Sequence, residues 1–131
     1  MSGPKTSQVQ EIRVLLVDDE KGFVDVLARR LRRRTMHVTT ASSGTEGIQR
    51  LRHDRFDVAV LDLKMEDMDG IEVLKIFKKI DPQMAVIMLT GHGSEQAARE
   101  GLTHGAFDYL TKPCELEELV DKISRAACAA R

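Results

Sequence analysis

The stretch VLLVDDE, residues 14–20, places two aspartates directly after a run of apolar residues. The same arrangement recurs in VAVLDLKM, where Asp62 closes an apolar run, and in YLTKP, where Lys112 follows one. Continuous apolar runs of this length are typical of parallel strands that are buried on both faces. Because the carboxyl ends of parallel strands open onto one crevice, we expect these charged side chains to share one pocket.

The charges in this expected pocket restrict its chemistry. Three carboxylates close together repel one another, so one of them must take up a proton unless a cation neutralises them. A hard cation such as Mg²⁺ prefers oxygen ligands and keeps several waters, which suits Asp18, Asp19 and Asp62. Lys112 supplies a further positive charge. The pattern therefore indicates phosphoryl chemistry on a carboxylate.

Composition and charge exclude several classes of protein. The chain has 131 residues, enough for one domain, and its formal net charge of −1 gives no electrostatic case for binding nucleic acid or a membrane surface. No apolar run approaches the roughly 20 residues that a membrane span needs, and the N-terminus lacks the apolar region of a secretory signal. Two cysteines without metal spacing favour a reduced compartment, so we expect a cytoplasmic protein.

Five predicted strands, of which His37 to Ala41 is shorter and more polar as expected of an edge strand, alternate with five segments of helical periodicity, which predicts an α/β fold with a doubly wound parallel sheet. Ser43 with Glu46, Asp69 and Ser94 are expected to cap helices, and Gly105 to end one. We expect one domain over residues 12–128 after a flexible tail, residues 1–11. The predicted strands cover residues 12–17, 37–41, 56–61, 84–89 and 107–110.

Four motifs, LLVDDE, VLDLKMEDMDG, VIMLTGHGS and DYLTKP, resemble in their order and separation the receiver domain of two-component response regulators, the CheY-like family. The resemblance covers about residues 12–126. It implies a flavodoxin-like (βα)5 sheet with strand order 2-1-3-4-5.

The resemblance also implies a set of roles around a cation. Asp62 matches the aspartate that accepts a phosphoryl group, and its carboxylate would attack phosphorus. Asp19 matches the direct ligand of Mg²⁺ or Mn²⁺, and Asp18 the acid that binds the ion mainly through water. Lys64 matches the position that offers its backbone carbonyl to the metal.

Three further positions are implied to respond to the phosphoryl group. Lys112 matches the lysine that pairs with Asp62 or its phosphoryl oxygens, and the family has a cis bond before the residue that corresponds to Pro113. Thr90 matches the hydroxyl that bonds the phosphoryl group, and Tyr109 the aromatic switch residue. Their movement would change the surface formed by the fourth helix, the last strand and the fifth helix.

Two features concern variation within the family. Lys64 and His92 lie two positions after the phosphoacceptor and after Thr90, where family members tune the lifetime of the phosphoryl group. Glu66 departs from the family pattern, which usually has Pro at that place, and so restores a backbone N–H and adds an acid near the pocket mouth.

The implied partners are a histidine kinase or phosphotransfer protein upstream and an output domain or protein downstream. The sequence leaves undecided whether phosphorylation causes the protein to form a dimer. The implied protein is a signalling receiver, not an enzyme, and catalyses only its own phosphorylation and dephosphorylation.

Two alternative functions compete with a signalling receiver. A phosphatase of the haloacid-dehalogenase-like type would also form an aspartyl phosphate, although its nucleophile lies in a D-x-D motif at the first strand, where this chain has adjacent Asp18 and Asp19. A flavin-binding module would need a phosphate-binding loop rich in Gly, Ser and Thr after that strand. The acidic sequence DDEKGF would repel phosphate unless a metal were present.

Overall fold

The computed structural model describes residues 11–91 and 93–129. Strands and helices alternate along the chain, beginning with a strand. The elements are β1 (Arg13–Val17), α1 (Lys21–Arg32), β2 (His37–Ala41), α2 (Gly44–His53), β3 (Val58–Asp62), α3 (Gly70–Ile80), β4 (Ala85–Thr90), α4 (Glu95–Thr103), β5 (Asp108–Thr111) and α5 (Leu116–Ala129).

All five strands form one parallel sheet in the order β2-β1-β3-β4-β5. This confirms the predicted fold class and strand order. The chain reverses the direction in which strands are added between β1 and β3, and ligands of open α/β sheets bind outside the carboxyl ends at such a point. The fold therefore directs attention to the residues that follow Val17 and Leu61.

The sheet divides the core into two layers. Successive side chains of a strand point to opposite faces, so Val14 and Leu16 lie in the layer beneath α1 and α5, where Ile123 is also fully buried. Leu15 and Val17 lie in the opposite layer with α2 and α3, together with buried residues such as Leu51, Leu74 and Phe77. Helices cover both faces, which explains why the three central strands, β1, β3 and β4, are largely apolar, whereas the edge strands β2 and β5 are more polar.

The predicted start of β3 at Phe56 is wrong, since the strand begins at Val58. Phe56 is buried but precedes the strand, and the residue after it, Asp57, pairs with Arg13 at the start of β1: Asp57 N–H donates to Arg13 O at 2.8 Å, and the Asp57 carboxylate accepts from Arg13 N–H at 2.8 Å. An apolar run indicates which residues are buried, and here the buried residues include Phe56, which precedes the first residue of β3. The other starts, apart from β2, move by a single residue.

Helix ends agree with the sequence in part. Ser43 accepts a hydrogen bond from Glu46 N–H at 3.0 Å, but the Glu46 carboxylate accepts from Ser42 N–H instead of completing the predicted capping box. Asp69 caps α3 by accepting from Ile71 N–H at 3.1 Å. Ser94 occupies the cap position of α4, yet its side chain makes no capping hydrogen bond, so that prediction is wrong in its chemistry.

Gly105 follows α4 with a φ of 102°, a left-handed conformation that glycine adopts without strain and that ends the helix as predicted. Among the described residues no helix combines the length and the apolar character that crossing a bilayer requires. Residues 1–10 fall outside the described part, so the predicted flexible tail, and with it the boundary of the domain, stays a prediction.

Candidate functional site

The carboxyl edge of the sheet brings together the acids that the sequence singled out. Asp18 follows β1 directly, Asp62 is the last residue of β3, and Asp19 lies next to Asp18. One carboxylate oxygen from each of the three lies within 4.8 Å of the others. Asp18 is fully buried and Asp62 is 5% exposed, whereas Asp19 is exposed. Two of the three carboxylates are therefore held out of water, and the third, on Asp19, is open to solvent.

Backbone donors fix the two buried carboxylates. Asp18 Oδ1 accepts from Glu20 N–H at 2.9 Å, and Asp62 Oδ1 accepts from Lys64 N–H at 3.3 Å. The other oxygen of each side chain faces Lys112. Short loops after the two strands thus orient both carboxylates toward the ammonium group of Lys112.

Lys112 follows β5, and its N–H donates to Thr90 O at 2.7 Å, which extends the strand pairing to the lysine. Its Nζ donates to Asp18 Oδ2 at 2.9 Å and to Glu20 Oε1 at 2.7 Å, and lies 3.9 Å from Asp62 Oδ2. The Lys112–Pro113 bond is cis, as the resemblance implied. In this structure the lysine bonds Asp18 and Glu20 more closely than Asp62.

The site holds more negative than positive charge. Burial, together with the neighbouring Asp18 carboxylate, raises the pKa of Asp62 from 3.8 to about 6, against the opposing effects of Lys112 and the Lys64 N–H. Burial acts to lower the pKa of Lys112, but its hydrogen bonds to Glu20 and Asp18 outweigh burial, so its pKa is raised and it stays charged. One lysine does not balance the acids around it.

Thr90 lies on β4, the strand next to β3, and Tyr109 lies on β5, which pairs with the far side of β4. Thr90 is the last residue of β4 and is 3% exposed, and its Oγ1 donates to Leu110 O at a long 3.4 Å. Tyr109 pairs with Met88 across β4 and β5, and its half-buried ring packs against the core layer of α2 and α3. His92 lies outside the described residues, so its predicted tuning role stays a prediction.

A sequence model described as the response regulator receiver domain matches residues 14–124 of this chain. The chain belongs to that family. The match covers most of the sequence and includes every residue of the candidate site named above. This receiver domain thus carries the acids, the lysine and the hydroxyl at the positions that the motifs indicated.

Curated relatives are mostly longer proteins. The transcriptional regulatory protein GlrR of Escherichia coli (strain K12) is 39% identical over 113 residues, which cover 86% of this chain and 26% of GlrR. The probable transcriptional regulatory protein TcrX of Mycobacterium tuberculosis is 38% identical over 111 residues, 85% of this chain and 47% of TcrX. The chain spans about a quarter of the length of the first of these relatives.

Solved structures agree with the fold. A response regulator receiver domain protein from Clostridium thermocellum superposes with a TM-score of 0.87 at 37% identity, covering 90% of this chain and 95% of that one. NtrX from Brucella abortus gives a TM-score of 0.87 at 26% identity, over 92% of this chain and 28% of NtrX. The comparisons support a phosphorelay receiver and lend nothing to the haloacid-dehalogenase-like phosphatase.

The residues of this receiver domain fit a divalent cation. The donors are carboxylate oxygens, the ligands that Mg²⁺ and Mn²⁺ prefer, and they converge from one edge of the sheet. Burial, and after it the charge of Asp18, raise the pKa of Asp62 despite the nearby Lys112, so a further positive charge would stabilise its ionised form. A hard cation at this point would supply that charge.

Two contributors to the site were missed in the sequence. Glu20, although it ends the VLLVDDE stretch, was given no role, yet it shares Lys112 with Asp18. Asp67 accepts hydrogen bonds from the N–H groups of Gly44 and Thr45, both at 3.0 Å, and so ties the loop after Asp62 to the start of α2. No local pattern signals the second contact, because its partners lie more than twenty residues away.

Proposed function

We propose that Asp62 accepts a phosphoryl group from a histidine kinase or phosphotransfer protein in the cytoplasm, with Mg²⁺ or Mn²⁺ as cofactor. The observation that carries the proposal is the placement of a buried Asp62 carboxylate between two further acids and the Lys112 ammonium. Such a site favours a reaction that brings negative phosphoryl oxygens to a carboxylate, since charge stabilisation and positioning supply most of the catalysis.

The chemical step is a substitution at phosphorus. An oxygen of the Asp62 carboxylate forms the new P–O bond while the P–N bond of the donor phosphohistidine breaks, and the released imidazole takes a proton from solvent. Asp62 must be ionised to attack, and with a pKa of about 6 it is mostly ionised at pH 7. Hydrolysis of the resulting acyl phosphate would restore the carboxylate and release phosphate.

Lys112 and a bound cation would neutralise the phosphoryl oxygens from different sides. Lys112 lies 3.9 Å from Asp62 and would contact the phosphoryl oxygens on one side. A cation held by Asp18, Asp19, Asp62 and the Lys64 carbonyl would neutralise phosphoryl oxygens when bound. Because Lys64 N–H already bonds Asp62 Oδ1, the second oxygen, Oδ2, is the one that faces the lysine.

Thr90 is suited to report the modification. Among the residues that the structure describes, its hydroxyl bonds only Leu110 O, at a long distance, so turning toward a phosphoryl oxygen would exchange a weak bond for a charge-assisted one. Such a bond is worth roughly 1.5–3 kcal/mol, which shifts a two-state equilibrium by about tenfold to somewhat over a hundredfold. Tyr109 lies on the adjoining strand, so the shift would be read on α4, β5 and α5.

The output belongs to a partner. Relatives such as GlrR are transcriptional regulatory proteins in which the matched region is a minor part of the chain. We propose that this receiver likewise controls a downstream output domain or protein through the α4, β5 and α5 surface. A phosphorylation-dependent dimer through the same surface stays a prediction.

A small acyl phosphate donor tests the proposal directly. With Mg²⁺ present, intact-mass spectrometry should show one added phosphoryl group that is stable in acid and lost in base. The adduct should be absent in Asp62→Asn and retained in Asp121→Asn, whose side chain is 63% exposed on α5. An undiminished adduct in Asp62→Asn, or none in the wild type, would overturn it.

A further inference from the structure

The exposed acid of the site has its own hydrogen-bond donor. Asp19 Oδ2 accepts from the backbone N–H of Glu66 at 3.1 Å. Among the residues that the structure describes, this N–H is the only hydrogen-bond partner of the Asp19 carboxylate. Asp18 and Asp62, by contrast, are each fixed by burial, a backbone donor and Lys112. The direction of Asp19 therefore depends on one contact.

The sequence makes that contact available. Proline has no backbone N–H and could not donate to Asp19. Glu66 stands where the DLxMPxMDG pattern of the family has proline, so the donor exists because of this departure. The relevant property of Glu66 is thus its amide group, which any residue other than proline would share.

The loop that presents the amide is anchored at several points. Gly70 N–H donates to Leu63 O at 3.2 Å and closes the base of the loop. A Cβ on Gly70 would lie 2.4 Å from Leu63 Cα, so the backbone at Gly70 approaches the backbone at Leu63 more closely than any residue with a side chain would allow. At the tip, the Asp67 carboxylate accepts from Gly44 N–H and Thr45 N–H, and from Thr45 Oγ1 at 2.9 Å.

We propose that Glu66 is a positioning residue whose N–H, held in place by the attachment of Asp67 to α2, turns the Asp19 carboxylate toward Asp18 and Asp62 and raises the affinity of the site for a divalent cation. The inference rests on the proposed cation site. A carboxylate has about four acceptor positions, so one bond from an amide leaves the others free for a metal. Groups that orient metal ligands change affinity by roughly 10- to 100-fold, and this exposed contact belongs at the lower end, about tenfold.

Two substitutions at Glu66 separate the amide from the side chain. Glu66→Ala keeps the N–H and removes the carboxylate, whereas Glu66→Pro removes both. Calorimetric titration with Mg²⁺ alone should give Glu66→Ala an affinity within about twofold of the wild type and Glu66→Pro one about tenfold weaker. Amide hydrogen exchange gives a second readout: the Glu66 N–H should be protected in wild type and Glu66→Ala, and exposed in Asp19→Ala.

A pair of variants at Asp67 tests the anchor without touching Glu66. Asp67→Ala removes the acceptors for Gly44 and Thr45 and should weaken Mg²⁺ binding, whereas Asp67→Asn keeps one carbonyl acceptor and should restore much of it. This pair decides the matter if Glu66→Pro fails to fold, since a wild-type affinity in Asp67→Ala would then overturn the inference.

The failures can be told apart. No Mg²⁺ binding by the wild type would remove the proposed cation site itself. If the wild type binds Mg²⁺ and the Glu66→Ala and Glu66→Pro variants bind it with equal affinity, the proposed function stands and the proposed role of the Glu66 amide is wrong.

Discussion

Replacing Asp62 with Asn should stabilise the metal-free protein at neutral pH. Asp62 is 5% exposed, and burial followed by the charge of Asp18 raises its pKa from 3.8 to about 6. A tenfold change in proton affinity corresponds to about 1.4 kcal/mol, so the ionised carboxylate costs the folded state about 3 kcal/mol at pH 7. Asn has nearly the same shape without the charge, and we expect a gain of about 2–3 kcal/mol in the free energy of unfolding.

The gain should depend on pH in a definite direction. Between pH 3.8 and about 6 the folded wild type keeps a proton on Asp62 that the unfolded chain has already released. The stability of the wild type therefore falls as the pH rises through that window, whereas the variant lacks this contribution. The difference between the two proteins should be small near pH 4 and complete above about pH 7.

Urea unfolding in the presence of a chelator measures the effect. The chain has no tryptophan, so circular dichroism is the suitable probe of the transition. Asp121→Asn provides a matched control, since its side chain is 63% exposed and should change stability little at either pH. Equal gains for Asp62→Asn at pH 4 and pH 7, or no gain at pH 7, would refute the reasoning from buried charge.

Three further substitutions test the packing and the charges around the site. Gly70→Ala would place a Cβ 2.4 Å from Leu63 Cα and should lower the free energy of unfolding by about 1–3 kcal/mol. Gly22→Ala, whose Cβ would meet no atom within 4 Å, should raise the free energy of unfolding by about 0.5–1 kcal/mol. Thermal melts in which Gly70→Ala is the more stable of the two variants would contradict this. Glu20→Gln removes a charged acceptor from Lys112 and should let the lysine approach Asp62, so the pKa of Asp62 measured by carbon-13 NMR should fall; an unchanged pKa would show that Glu20 does not hold the lysine.

The fold was largely predictable because short stretches of the sequence show both the apolar residues of buried strands and the alternation of strands with helices. Continuous apolar runs mark strands covered on both faces, and the fully buried Val58–Leu61 and Val86–Leu89 segments show why the pattern was clear. Boundaries were less accurate where a side chain is buried without being extended, as at Phe56. Ser94 shows that a suitable residue at a helix start need not form the capping bond.

The acids and the lysine of the site were predictable from their places after strands, whereas the contacts among them were not. Sequence reasoning paired Lys112 with Asp62, but the lysine bonds Asp18 and Glu20 more closely. Such preferences depend on differences of about 1 Å between competing acceptors, which spacing along the chain does not encode. The bond from Glu66 N–H to Asp19 was unforeseen for the same reason, although its donor was noted.

The central position of β1 has a consequence for how the chain acquires its structure. β1 is the first strand of the described residues, but it pairs with β2 on one side and with β3 on the other, and the strands of every pair are separated in the chain by at least one helix. The described residues form no hairpin that could act as a local nucleus. Contacts between distant segments must be closed before they stabilise one another, which slows folding relative to helical bundles of similar size. The pairing of β1 on both sides is thus completed only after the chain has extended through β3.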